Sequence, residues 1–273
     1  MFRWTLSLFF LIAGALAQTP QSDQKPRWQP GWPCTGKEPS FDPAYARVAE
    51  ASGGQLFLFD RSEAGRSALP MIAASRHRET VARAAGTLDE PYRDVRVHVD
   101  SSIDSLFVSV SLQCMQTIAI SGPNGEINPE QLGGENHWFR AGRIVIVPHP
   151  EPGVWTIRLQ GAGPFFLSVQ ARTSLVLHPV KFEPEPPRLG AENLLTVSLN
   201  APSSNVHFRL VNAEGETLQP LPLQTGEGRP SIFSGSIVPG FKQFRILAEG
   251  TDEHGYAFQR VDPRLIEATA SVP

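Results

Sequence analysis

From Pro91 onward, apolar and polar residues alternate. In YRDVRVHVD, Val95, Val97 and Val99 fall on one side of the chain, and Arg96 and His98 on the other. SLFVSVSLQ places Leu106, Val108, Val110 and Leu112 in the same way. TIAISGPNGE places Ile118 and Ile120 ahead of a Gly-Pro-Asn-Gly turn, and RIVIV, VWTIRL and FFLSVQA continue the series. A period of two, broken by turn residues every ten or so positions, predicts an antiparallel β-sandwich over residues 91–178. Within it, VPHPEPGVWTIRLQGAG (147–163) has the proline and glycine crowding of a binding loop. Pro150 and Pro152 cannot donate ladder hydrogen bonds, however, and Gly153 is free to take a positive φ. The stretch therefore predicts a turn followed by a central strand, with Trp155, Ile157 and Leu159 in the core.

The pattern differs on either side. Asp42-Pro43 predicts an N-cap and first helical position. Tyr45, Val48, Ala49 and Ser52 share a face, and Gly53-Gly54 end the helix. QLFLFD predicts a short strand buried on both faces. Ser62 predicts the cap of a second helix that Pro70 interrupts, and MIAASRHRETVARAAG a further helical run ending at Gly86, with Arg76, His77, Arg78 and Arg83 on a solvated face. Residues 42–88 are thus expected as helix–strand–helix. After the sandwich, FEPEPPRLG lies in an expected proline-rich linker over 179–190. NLLTVSLN, VHFRLVN, IFSGSIV, KQFRILAEG and YAFQRV then predict an immunoglobulin-like β domain over 191–273, with Gly255 in a tight hairpin.

The N-terminus reads as a secretory signal over residues 1–17: Arg3, the apolar run TLSLFFLIAGAL, and Ala15 and Ala17 before a cut that leaves Gln18 first. A buried N-terminal helix is the competing reading. No other segment approaches the ~20 apolar residues of a spanning helix, so no stable membrane anchor is expected. Residues 18–41 form a Pro- and Gln-rich tether carrying Trp28 and Trp32. The protein is expected to be exported, to the periplasm or outside the cell.

Composition adds two constraints. The 25 prolines and 23 glycines suit many short strands, and a net charge of -3 argues against nucleic acid as partner. Cys34 and Cys114 are the 2 cysteines. In an oxidising compartment they are a candidate disulfide, closing a loop of about 80 residues worth ~4 kcal/mol. Two free buried thiols are the alternative.

YARVAEASGGQLFLFD, VDSSIDSLFVSVS, ISGPNGE and PEPGVWTIRLQGAGPFFLSVQA, in this order, resemble the hemicentin family and its von Willebrand A-domain relatives. The resemblance runs over roughly residues 41–262. It implies the tail of an A-domain, then a galactose-binding-like β-sandwich, then a further β domain. It does not carry over metal-dependent adhesion, because the A-domain's N-terminal half is missing. The near match to its Asp-x-Ser-x-Ser site, Asp100, Ser102 and Asp104 in DSSID, fails at the fifth position, and turn chemistry explains these residues more simply.

The fold class is therefore expected to be mainly β: a small α/β remnant, a galactose-binding-like sandwich and an immunoglobulin-like sandwich. Bridging of Cys34 to Cys114 would dock the remnant on the sandwich. Histidines 77, 98, 137, 149, 178, 207 and 254 are isolated, and no H-E-x-x-H, G-x-S-x-G or Walker loop occurs. No cofactor and no metal site is expected. The best binding cue is GGENHWFRAG, read as a long turn offering Asn136, His137, Trp138 and Arg140 to a ligand; Trp138 or Phe139 as a core plug is the competing reading. Non-catalytic recognition of an extracellular or periplasmic protein leads. A carbohydrate-binding module using the Trp138 loop and a secreted hydrolase with an unrecognised site remain as alternatives.

Overall fold

The computed structural model describes residues 41–67, 70, 78–200, 203–226 and 228–270. The expected signal, the tether up to residue 40 with Trp28, Trp32 and Cys34, and His77 lie outside the described residues. The described chain is mainly β, as the alternation predicts, and its strands pair almost entirely antiparallel in several sheets.

The first body contains β1 (Glu79–Leu88), β2 (Tyr92–Val99), β3 (Ile103–Gly122), β4 (Gly125–Glu126), β5 (Glu135–Phe139), β6 (Gly142–Pro148) and β7 (Gly153–Thr173). They run in the order β1-β7-β3-β6-β5, with β2 added to β7 and β4 to β3. The strands expected separately as SLFVSVSLQ and TIAIS are one 20-residue strand, β3, and VWTIRL and FFLSVQA are one 21-residue strand, β7. Bulges between Leu112 and Cys114 and between Met115 and Thr117 bend β3. Gly161 bends β7 at the same level: at φ +151° it leaves no room for a Cβ, which would sit 2.1 Å from the Cys114 carbonyl oxygen. Both halves of each strand still face one core. Leu106, Val108 and Val110 meet Ile118 and Ile120, and Trp155, Ile157 and Leu159 meet Leu167 and Val169. The bent pair thus folds the sheet over itself, with β1, β5 and β6 on one half and β2 and β4 on the other. Trp155 is 2 % exposed, and its Nε1 donates to the Glu151 carbonyl. Gly153 has φ +146°. The proline-rich stretch is turn and core strand, as its composition predicts.

The second body holds its own core, around Leu175, Phe182, Leu195, Phe208, Phe244, Ile246 and Phe258. One sheet runs β13 (Gln224–Gly226), β14 (Arg229–Ile237), β10 (Asn193–Ser198), β8 (Lys181–Glu183). A second runs β12 (Thr217–Leu221), β11 (Ser203–Val211), β15 (Gln243–Asp252), β16 (Ala257–Val261), with β17 (Ile266–Glu267) on β15. β18 (Thr269–Ala270) pairs in parallel with β9 (Arg188–Leu189). The linker expected over 179–190 is therefore corrected. Phe182 lies in a strand paired with β10 and is buried in the second core, and Arg188–Leu189 pair with the C-terminal strand. Prolines at 184, 186 and 187 interrupt these pairings rather than separate two bodies.

Residues 42–88 also depart from expectation. Helix α1 (Pro43–Ser52) forms as predicted, with Asp42 as N-cap and Gly53 as a left-handed C-cap at φ 73°. QLFLFD does not join a sheet. It runs extended across the outside of the first body, where side chains replace ladder bonds: Leu58 N donates to Ser111 Oγ, Ser111 Oγ to the Leu56 carbonyl, and Gln55 Nε2 to Ser168 Oγ. The cap of the next turn is Asp60, not Ser62. Asp60 accepts from Ser62 N, and Glu63 reaches back to Asp60 N as a capping box. The helical run expected to reach Gly86 is overturned from Glu79 onward. Residues 79–88 form β1 instead, because pairing with β7 buries Val81, Ala82 and Ala84 and overrides the local preference of an alanine-rich segment.

Candidate functional site

The residues singled out as a ligand loop lie on an edge strand. Asn136, His137 and Trp138 belong to β5, paired only with β6 in register Trp138↔Arg143 and Asn136↔Val145. Strand alternation splits the group. Asn136 Oδ1 accepts from Arg143 Nε, and the Arg143 guanidinium stacks on Trp138, 4.1 Å from the ring centre. Trp138 is half-buried against the first core. His137 points to the opposite face and pairs with Glu135 at 2.7 Å. Arg140 sits in the β5–β6 turn, its main-chain N donating to Glu63 and its guanidinium 3.6 Å from Asp60. Phe139 is a plug, packed with Ile144, Phe57 and Phe59. The long-turn reading is thus corrected. The four residues are not brought together, and Asn136 and Trp138 with Arg143 form the nearest thing to a joint surface.

Among the described residues a buried polar network lies elsewhere, at the junction of the two bodies. Glu50, in the last turn of α1, accepts from Arg83 of β1 through Oε1 at 2.7 Å and from Arg245 of β15 through Oε2. Arg83 also donates to the carbonyls of Ala49, Gly53 and Gly54, the open C-terminal end of α1, where positive charge is favoured. Arg245 donates to the Ala213 carbonyl, and Leu265 N to the Glu50 carbonyl at 2.7 Å. Burial pushes the Arg83 and Arg245 guanidinium groups down to about 10, which leaves both cationic at neutral pH. Gly53 packs where a Cβ would stand 2.9 Å from Pro263 of the second body.

A second ion pair sits deeper. Arg260 of β16 and Asp100 of the β2–β3 turn have fully buried side chains 2.7 Å apart. Beside them Gln259 closes two strand edges at once. Its Oε1 accepts from His98 N of β2, and its Nε2 donates to the Val81 carbonyl of β1, both at 3.0 Å. At the rim, Arg93 pairs with Glu214 and Glu216. Neither Glu50, Arg83, Arg245, Gln259 nor Arg260 is a candidate from sequence motifs. Their signal is weaker: a charged or amide residue inside an apolar strand, as in FRILAEG and YAFQRV.

DSSID finds its explanation here. Asp100 Oδ1 accepts from Ser102 N and Oγ, and its Oδ2 from Arg260, so a guanidinium stands where a metal ion would be sought. Asp104 lies apart, beside Arg172 and His149. Among the described residues no cluster of His, Cys, Asp and Glu could hold a metal ion. Ser101, Asp252 and His254 also meet, but Ser101 Oγ is the hub, 2.6 Å from Asp252 Oδ2 and 2.9 Å from His254 Nδ1. Asp252 does not orient the imidazole as a nucleophilic triad requires. Its Oδ1 instead accepts from His254 N and Tyr256 N in the β15–β16 turn.

No protein-family model matches the sequence. It is 21 % identical to mouse hemicentin-1 over 235 residues, 80 % of this chain and 4 % of that protein, and 22 % identical to human hemicentin-1 over the same length and shares. The chain is distantly hemicentin-like. It spans only 4 % of the length of these hemicentins, so the match speaks for a segment of them. An A-domain tail gains no support: QLFLFD joins no sheet, and residues 79–88 form strand β1 in place of the end of a helix. Two solved structures are similar over part of the chain. One is the Bacillus licheniformis lipase BlEst2 in propeptide form (TM-score 0.33, 12 % identity, 66 % of this chain and 40 % of that one). The other is titin z1z2 in complex with telethonin (TM-score 0.21, 13 % identity, 69 % and 98 %). Likeness at this level carries no argument about function.

Proposed function

We propose that this chain is an exported, non-catalytic recognition protein that meets an extracellular or periplasmic protein through two β-sandwich bodies held in one fixed arrangement. We assign the first body to the galactose-binding-like class and the second to the immunoglobulin-like class. The observation that carries the reading is the junction. Its most buried polar groups join one body to the other, as suits a chain that presents a composite surface. The distant likeness to hemicentin-1 supports it.

The test is cross-linking in the native exporting compartment, followed by reconstitution with the purified partner. Saturable binding of that partner supports protein recognition. Binding on a glycan array that disappears in Trp138→Ala would replace it with the carbohydrate reading, centred on the edge-strand Trp138. Turnover of ester or glycoside substrates that survives repurification would replace it with the hydrolase reading.

Export to an oxidising compartment also favours a bridge between Cys34 and Cys114. Cys114 lies buried at the β3 bend, opposite Ala162. Non-reducing peptide mapping should recover the two cysteines in one linked peptide pair, and reduction should cost ~4 kcal/mol of stability. Recovery of both as free thiols contradicts the bridge.

A further inference from the structure

Four buried side-chain atoms of the described residues lack a hydrogen-bond partner: Arg78 Nη1, Ser105 Oγ, Gln170 Oε1 and Glu249 Oε2. Glu249 Oε2 has Arg209 and His207 within ion-pair distance. The other three fall together. Ser105 and Phe107 lie on β3 directly opposite Arg172 and Gln170 on β7. These positions alternate with the core residues Leu106, Val108, Val169 and Ala171, so they share the outer face of the sheet. The Arg78 guanidinium lies over the Phe107 ring, which ties all three unpartnered atoms to one patch. Ser105 is 6 % exposed.

An unpartnered buried polar atom costs about 1–3 kcal/mol, and a charged one more. Three side by side point to an occupant, and the charge says which kind. Among the described residues no carboxylate lies within ion-pair distance of Arg78. The neighbouring Glu79 turns to the Leu177 main-chain N, and Asp104 is engaged by Arg172 and His149. Burial, and then the charge of Arg172, push the Arg78 guanidinium down to about 9, still cationic at neutral pH. A water molecule would satisfy Ser105 and Gln170 but leave this charge uncompensated. A guanidinium N–H, a hydroxyl and a primary amide that can turn its NH2 inward make a donor set for negative oxygen. We propose that Arg78, Ser105 and Gln170 form a binding site for a small oxyanion, the carboxylate or phosphate group of a ligand, on the Phe107 floor of the first body.

The test compares thermal melting and calorimetric titration in sodium phosphate, sodium acetate and sodium chloride at equal ionic strength, for the wild type, Arg78→Met and Ser105→Ala. The wild type should show a saturable rise in Tm of a few degrees with phosphate or acetate over chloride, and the stronger of the two names the source. Ser105→Ala should bind several-fold more weakly. Arg78→Met should lose the response while keeping or raising its Tm in chloride, because it removes a half-buried charge that has no carboxylate within ion-pair distance among the described residues. A wild-type Tm that follows ionic strength alone, or an equal rise in Arg78→Met, overturns the site.

Discussion

Arg260 uses all five of its N–H groups: Nε to the Leu175 carbonyl, Nη1 to Asp100 and the Gln259 carbonyl, and Nη2 to Thr173 and Ser102. A buried pair so completely satisfied is evidence for fixed geometry more than for net stability, because desolvation offsets much of the attraction. Removing one partner and replacing both should therefore differ in cost. Arg260→Met leaves Asp100 charged and buried, and should cost about 3–5 kcal/mol in urea unfolding. Combining it with Asp100→Leu should recover most of that loss. Asp252 makes a pH prediction. Burial alone would raise its carboxyl, but hydrogen bonds from Ser101 Oγ and N and from Tyr256 and His254 N outweigh it and hold the carboxyl below the usual range. A depressed folded pKa contributes stability above the unfolded value, near 3.9, and that contribution is lost as pH falls through the folded value. Asp252→Asn should thus flatten the loss of stability below about pH 4, measured by urea titrations at stepped pH.

At the scale of elements, alternation was legible and continuity was not. Each half of β3 and β7 shows its period of two, yet nothing local says that Gln113–Gln116 and Gly161–Pro164 bend a strand instead of ending it. Glycine and proline usually mark turns, and only the pairing of the two bends against each other makes them corners. The close approach at Gly161 makes this testable. Gly161→Ala would set a methyl against the Cys114 carbonyl and Leu112, and should lower stability by more than ~1 kcal/mol, read as a fall in Tm. QLFLFD misled for a related reason. Its apolar run fits a buried strand, but Leu56 and Leu58 reach burial by crossing a sheet whose outer face carries Ser109, Ser111 and Ser168. Those buried serines are visible in SLFVSVSLQ and FFLSVQA only as the polar half of the alternation, which a solvated face would show equally.

For the molecule as a whole, composition and period gave the mainly-β class and two successive β regions. They also gave Trp155 as core and Gly153 and Gly255 as turn residues with positive φ. They missed the junction, because its partners are separated by as many as 195 positions, as between Glu50 and Arg245, and no short pattern records such a distance. Glu50 with Arg83 and Arg245, Asp100 with Arg260, and the Gln259 bridge should make the two bodies fold and unfold as one. Scanning calorimetry of the full chain tests it most directly. One transition, with calorimetric and van't Hoff enthalpies equal, is expected for the wild type, splitting into two when Glu50→Ala and Arg260→Met are combined. Two resolved transitions in the wild type itself would contradict it.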